Sequence, residues 1–162
     1  MAKYKIHLLV CGGTGCRASA SDSITENLKQ SLQDNNLQDE VQVIMTGCFG
    51  FCEKGPVLKI LPDNTFYVKV TPEDTKDIIE EHIVKGRKVE RLLYVDPDTN
   101  TRIEESENMD FYKKQLRIAL RNCGFINPEN IGEYIARDGY MALGQALTEM
   151  KPEEIIKEIK NS

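Results

Sequence analysis

Four of the five cysteines fall into two pairs, Cys11 with Cys16 and Cys48 with Cys52, spaced C-x4-C and C-x3-C with thirty-one residues between the pairs. Four thiolates in two pairs are the ligand set of a [2Fe–2S] cluster, one pair to each iron, with backbone N–H groups turned toward the sulfurs. Both pairs lie in glycine-rich stretches, Cys11-Gly12-Gly13-Thr14-Gly15-Cys16 and Gly47-Cys48-Phe49-Gly50-Phe51-Cys52. Glycine lets a backbone turn sharply and pass close to a sulfur. Cys11, Cys16, Cys48 and Cys52 are therefore the candidate cofactor and metal ligands, and no residue is assigned a catalytic role.

Other chemistries for these residues are weaker. Structural zinc also takes four thiolates and leaves open a zinc-stapled, non-redox interaction domain, but its usual pairs are C-x2-C. Dithiol exchange of the thioredoxin type uses C-x-x-C, which is absent. Gly13-x-Gly15-x-x-Ala18 has the outline of a dinucleotide loop, yet that loop wants an acid at the end of the next strand, where Met45-Thr46 stand. It would also leave Cys48 and Cys52 unused. Cys123 reads as a small buried hydrophobe, His7 and His82 as packing or surface residues, and Arg17 as a charge beside the first cysteine loop. No Ser/His/Asp set, Walker loop or paired-carboxylate constellation is visible.

The elements that must position the cysteines follow from periodicity. From Tyr4 to Val10, Tyr4, Ile6, Leu8 and Val10 alternate with Lys5, His7 and Leu9, a strand that delivers the chain to the first cysteine loop. Ser23-Ile24-Thr25-Glu26 has capping-box spacing, and Ile24, Leu28 and Leu32 predict a helix over about 23–35. Val41 to Met45 is a second strand leading to the second loop. A strand, helix, strand order of this length implies a parallel pair with a right-handed crossover, which would put both cysteine loops at the same sheet edge. Val57–Leu61 and Phe66–Val70 flank the turn Pro62-Asp63-Asn64-Thr65 as a hairpin. Thr71-Pro72-Glu73-Asp74 then opens a helix carrying Ile78, Ile79 and Ile83 that stops at Gly86. The expected fold is α/β, a thioredoxin-like sandwich of βαβ then ββα over residues 1–86.

Residues 87–110 read as a solvated linker, with Asp96-Pro97-Asp98-Thr99-Asn100 and Glu104-Glu105-Ser106-Glu107. From Phe111 to Leu120 apolar spacing returns. Helices are expected from Asn127-Pro128-Glu129 through Ile135, after Gly139, and from Pro152 with Ile155, Ile156 and Ile159. These lack a sheet to cover, so 111–162 reads as an incomplete second domain.

Composition narrows the partners. A net charge of −5 and a pI near 5.2, with no basic block, argue against nucleic acid. No apolar run approaches a membrane span, and Met1-Ala2-Lys3-Tyr4-Lys5 runs into a strand pattern rather than a signal peptide. Five cysteines without an export signal fit a cytoplasmic protein with free thiols. A homodimer is compatible with all of this.

Cys-Gly-Gly-Thr-Gly-Cys at 11–16, Gly-Cys-Phe-Gly-Phe-Cys-Glu-Lys-Gly-Pro at 47–56, Val-Thr-Pro-Glu-Asp at 70–74 and Glu-Arg-Leu-Leu-Tyr at 90–94 carry a resemblance. They resemble the N-terminal thioredoxin-like [2Fe–2S] ferredoxin domain of the flavoprotein subunit of bacterial NAD(P)-linked iron hydrogenases, including electron-bifurcating ones. Residues 134–140 and 147–154 are similar to the opening of the NADH- and FMN-binding domain shared with the NADH dehydrogenase flavoprotein subunit. The resemblance implies that Cys11, Cys16, Cys48 and Cys52 ligate the cluster. It also implies electron transfer within a multisubunit oxidoreductase of hydrogenase, formate dehydrogenase or NADH dehydrogenase type. Its partners would be hydrogenase or diaphorase subunits and the flavin domain of the parent. FMN, NAD(P) and a [4Fe–4S] cluster would belong to that full-length parent, leaving these 162 residues as an electron carrier.

Overall fold

The computed structural model describes residues 4–162. Met1 to Lys3, part of the stretch read as leading into the first strand, lie outside the described residues. Strand β1 (Ile6–Cys11) is followed by a short helix α1 (Thr14–Ala18), helix α2 (Ser21–Asp34) and strand β2 (Val41–Thr46). Strands β3 (Leu58–Leu61) and β4 (Thr65–Tyr67) make the hairpin, and helix α3 (Asp74–Asp77) continues as a wider π-wound segment, Ile78–Val84. The sheet order is β2-β1-β3-β4, with β1 and β2 parallel and the other neighbours antiparallel. The βαβ then ββα architecture is as expected.

The period-two pattern of β1 divides the core. Leu8 and Val10 pack with Ile24, Leu28 and Leu32 of α2 and with Ile78 and Ile79, all buried. Leu9 points to the opposite face and joins Ile44, Phe49, Phe51, Phe66 and Met109. Just before α3, the backbone N–H and hydroxyl of Thr71 donate to Asp74 Oδ2 at 2.8 and 3.0 Å, which fixes the turn, but the helix starts at Asp74 after Glu73 with no side-chain cap, so Thr71 is not its N-cap.

The Ser23–Glu26 cap does not form. Helix α2 begins at Ser21 after Ala20, which takes a left-handed φ of 75°, with no side-chain cap; Thr25 Oγ1 instead donates to Ser21 O at 2.9 Å. The reason is α1, unforeseen in the sequence. The chain enters α2 from a preceding helical turn rather than from an extended residue, so Ser23 already lies inside the helix.

Residues 87–110 are packed rather than a free linker, and the first compact unit runs to Phe125 instead of ending at 86. An exposed edge strand leaves unpaired N–H and C=O groups, and this segment supplies β4 with partners. Val68 N–H donates to Leu92 O at 2.9 Å and Phe66 N–H to Glu104 O at 2.7 Å. Isolated bridges join Tyr67 to Leu93 and Thr65 to Glu105, flanking a small hairpin of β5 (Tyr94–Val95) and β6 (Arg102–Ile103). Beyond it, only one helical turn, α4 (Asp110–Lys113), forms from the apolar stretch at 111–120.

The second unit, Ile126–Ser162, holds α5 (Ile131–Ile135), α6 (Met141–Thr148) and α7 (Pro152–Asn161). Asn130 caps α5 by accepting from the N–H groups of Gly132 and Glu133. In α7, Pro152 stands in the first turn and Lys151 N–H donates to Glu154 Oε2 at 2.7 Å. Leu143, Leu147, Ile156 and Ile159 are exposed.

Candidate metal centre

Sheet register brings the two cysteine loops together. Cys11 ends β1 opposite Thr46, the last residue of β2, and Gly12 N–H donates to Thr46 O at 2.9 Å. Cys48 therefore emerges two residues past the end of β2, beside the loop that follows β1. Cys16 sits one turn into α1 and is buried with Cys11, while Cys48 is half-buried and Cys52, at the start of a 3-10 turn (Cys52–Lys54), is exposed. The site thus has a buried end at Cys11 and Cys16 and an open end at Cys52.

The four thiols form two hydrogen-bonded pairs. Cys16 is hydrogen-bonded to Cys11 and Cys52 to Cys48. Among the described residues, no three His, Cys, Asp or Glu side chains converge as one ion would require; the arrangement is two pairs. Glycines permit their approach. A Cβ on Gly13 would stand 2.9 Å from Cys48 Sγ, and one on Gly55 would stand 2.7 Å from Cys16 Sγ. Backbone donors reach the sulfurs as well: Gly50 N–H donates to Cys48 Sγ at 3.2 Å, and the Val57 N–H serves Cys16.

Electrostatics weigh against four free thiolates here. Burial, then the hydrogen bond and charge of Cys11, push the Cys16 thiol up to about 12. The charge of Cys48, then the hydrogen bond to it, raises Cys52. Four thiolates this close repel one another, and metal cations between them reverse the penalty by holding the sulfurs deprotonated. Sulfur donors, two-by-two pairing and N–H groups aimed at sulfur fit a [2Fe–2S] cluster. Arg17 does not add to this field: its Nε is 3.2 Å from Asp22 Oδ2, and both side chains are exposed.

The family model for thioredoxin-like [2Fe–2S] ferredoxins matches residues 1–82. The chain belongs to the thioredoxin-like [2Fe–2S] ferredoxin family. It is 36% identical over 102 residues to the "Ferredoxin, 2Fe-2S" of Clostridium pasteurianum, covering 57% of this chain and 98% of that protein. A 50-residue stretch is 58% identical to the NADP-reducing hydrogenase subunit HndC of Solidesulfovibrio fructosivorans, 31% of this chain but 10% of the subunit. Among solved structures, the wild-type thioredoxin-like [2Fe–2S] ferredoxin from Aquifex aeolicus superposes with a TM-score of 0.50 at 31% identity. That superposition covers 56% of this chain and 96% of the other.

Around the four cysteines of this ferredoxin stand Tyr112 and Arg117, which the sequence did not single out, and Cys123, which it read only as a small buried hydrophobe. Tyr112 Oη donates to Phe49 O at 3.0 Å, and Arg117 Nη2 lies 3.4 Å from Cys48 O. Burial first, then the charges of Cys11 and Cys48, hold the Tyr112 phenol well above its ordinary range, with Arg117 opposing them. Cys123 is half-buried, and a Cβ on Gly47 would be 2.7 Å from its Sγ. Gly47 and Gly124 were the available signals, since glycines mark close approaches. Of the histidines, His82 lies buried between Tyr67 Oη and Asp63 Oδ2, each at 2.8 Å, and His7 lies edge-on to Tyr4.

Proposed function

We propose that Cys11, Cys16, Cys48 and Cys52 hold one [2Fe–2S] cluster, Cys11 and Cys16 on one iron and Cys48 and Cys52 on the other. The observation that carries this reading is the pairing of the four thiols at the ends of two register-matched parallel strands. When bound, the cluster accepts or gives one electron at a time at low potential. The protein's part is to fix the sulfurs, supply N–H donors such as Gly50, and bury the Cys11–Cys16 end against Phe49, Val57 and Phe66. The exposed Cys52 makes its end of the site the side from which electrons enter and leave.

The module belongs, on this reading, to the flavoprotein subunit of an NAD(P)-linked oxidoreductase of hydrogenase or NADH dehydrogenase type. The 58% identity to HndC over 50 residues supports it. Ile126–Ser162, with its exposed Leu147, Ile156 and Ile159, then opens the domain that binds FMN and NAD(P) in the parent. Partners are the flavin domain and neighbouring hydrogenase or diaphorase subunits, in the cytoplasm. Among the described residues no helix is long and apolar enough to cross a membrane.

Anaerobic purification followed by iron, zinc and sulfide analysis and EPR tests the cluster. About two irons and two sulfides per chain, EPR-silent until reduced to a spin-half state, are expected. Stoichiometric zinc without labile sulfide overturns the reading in favour of a zinc-stapled interaction domain.

A further inference from the structure

We infer that residues 109–125 are a strap that clamps the second cysteine loop, and that Arg117 in it is a positioning residue that raises the cluster's reduction potential. The inference rests on the cluster reading above. The strap lies outside residues 1–82, which match the family model, and inside the first compact unit, which runs to Phe125.

The strap meets every residue of the loop from Thr46 to Phe49, and Phe51 beyond it. Gly124 N–H donates to Thr46 Oγ1 at 3.2 Å, and Cys123 lies against Gly47, where a Cβ would be 2.7 Å from its sulfur. Arg117 reaches Cys48 O at 3.4 Å, and Tyr112 Oη donates to Phe49 O at 3.0 Å. The Phe51 ring stacks on Phe111 at 4.7 Å between centroids and meets Tyr112 edge-on at 5.9 Å. Met109, fully buried in the same apolar cluster as Phe49, Phe51 and Phe66, anchors the start.

Anchoring this dense has a functional consequence because the loop carries a proposed ligand. Potentials of iron–sulfur centres follow net charge, hydrogen bonding and solvent exposure. The guanidinium is a permanent cation at the carbonyl of Cys48, in a part-buried setting where salt screens it less than at the surface. Reduction adds one electron to the centre, so a fixed cation beside it stabilises the reduced state more than the oxidised one. The strap also covers the loop from one side while Cys52 stays open, which confines solvent access to the end used for electron exchange.

The test uses the full 162-residue chain, loaded with cluster, with midpoint potentials from EPR-monitored redox titration and cluster release timed with an iron chelator. Arg117→Gln is expected to retain iron and to lower the reduction equilibrium constant roughly tenfold, about 59 mV for one electron. Arg117→Lys restores most of that shift. Arg121→Gln, the same charge change at an exposed strap position, shifts it by less than half as much. Tyr112→Phe, which keeps the ring and removes the bond to Phe49 O, speeds chelator release severalfold. Arg117→Gln with full iron and an unchanged midpoint overturns the potential role, as does an equal shift in Arg121→Gln. Unchanged release from Tyr112→Phe overturns the clamp. If Arg117→Gln fails to hold iron, Arg117→Lys and Arg121→Gln still decide: a wild-type midpoint in the first with a large shift in the second refutes a positioned charge. A wild-type chain without iron and sulfide defeats the cluster reading itself, and the strap's role with it.

Discussion

Replacing Gly55 with alanine separates the metal centre from the fold around it. Gly55 has φ −74° and ψ 165°, an extended conformation any residue adopts, so the substitution strains no backbone torsion. By narrowing the unfolded ensemble it would by itself stabilise the chain by about 0.4–1 kcal/mol. The cost comes from one contact: the new Cβ would stand 2.7 Å from Cys16 Sγ, whereas ordinary contact begins at 3.4 Å, a deficit of about 0.7 Å. Metal sites hold ligand distances to within about 0.2 Å, so a sulfur displaced by that deficit leaves bonding range. In metal-free protein the thiol can rotate away at little expense. The expected result is a variant whose metal-free form melts within about 1 kcal/mol of wild type but which assembles less than half the iron and sulfide and loses visible absorption. Gly15→Ala is the control. Its Cβ would meet Cys52 Cβ and Sγ at 3.8 and 3.9 Å, ordinary contacts, on a helical turn that favours alanine. Full iron and an unchanged spectrum in Gly55→Ala would refute the reasoning, as would cluster loss confined to Gly15→Ala. A stability loss of about 1–3 kcal/mol with iron retained would mean that the surrounding turn, not the sulfur, absorbs the methyl group.

Cys11→Ser and Cys48→Ser should each abolish the visible spectrum, whereas Cys123→Ala keeps iron and sulfide at wild-type levels; equal loss in the Cys123 variant would show the ligand assignment to be wrong. Lys59 is buried in β3 with its Nζ 2.8 Å from Glu107 Oε1 and over the Phe125 ring. Glu107→Gln should therefore destabilise the first unit by about 1–3 kcal/mol in urea melts, less than a fully buried pair because the glutamate is half-exposed. Burial raises the Glu107 carboxyl, but Lys59 and its other hydrogen bonds outweigh it and hold the group below its ordinary 4.5. Its stabilising effect is thus present above pH 4.5 and fades as pH falls through the lower folded value, so the wild-type and Gln melts should converge on acidification. Titrating FMN and NADH by fluorescence and calorimetry should give no stoichiometric micromolar binding, because Ile126–Ser162 offers three helices and no phosphate-cradling glycine loop. Tight binding or NADH turnover with a dye would refute that.

What was legible in the sequence was what short-range periodicity and spacing encode. Alternation in β1, the fourfold spacing of Ile24, Leu28 and Leu32, and the turn at Pro62–Thr65 each express a local rule, and the structure uses them as written. The cysteine pairs were legible because each lies within six residues of chain. Helix α1 was missed because Thr14-Gly15-Cys16-Arg17-Ala18 carries a glycine in place of an apolar period and reads as loop.

The packing of residues 87–125 could not be read the same way, because what docks it is mostly backbone. Phe66 and Val68 donate to carbonyls at Glu104 and Leu92, and a carbonyl has no residue type. The Glu104 side chain is exposed, so composition reports its exposure and hides the bond made by the carbonyl beneath. The strap's contacts with the second loop again fall on Thr46, Gly47 and the carbonyls of Cys48 and Phe49, groups whose partners lie more than sixty residues away in sequence. Lys59 is the exception that composition could have flagged. It breaks the apolar run Val57-Leu58-Lys59-Ile60-Leu61, and a lysine facing the core of a central strand demands an acid and an aromatic cover. Glu107 and Phe125 answer that demand. A buried lysine in β3 therefore implies that a further segment must cover this face of the sheet, and the first compact unit of this chain accordingly runs on to Phe125.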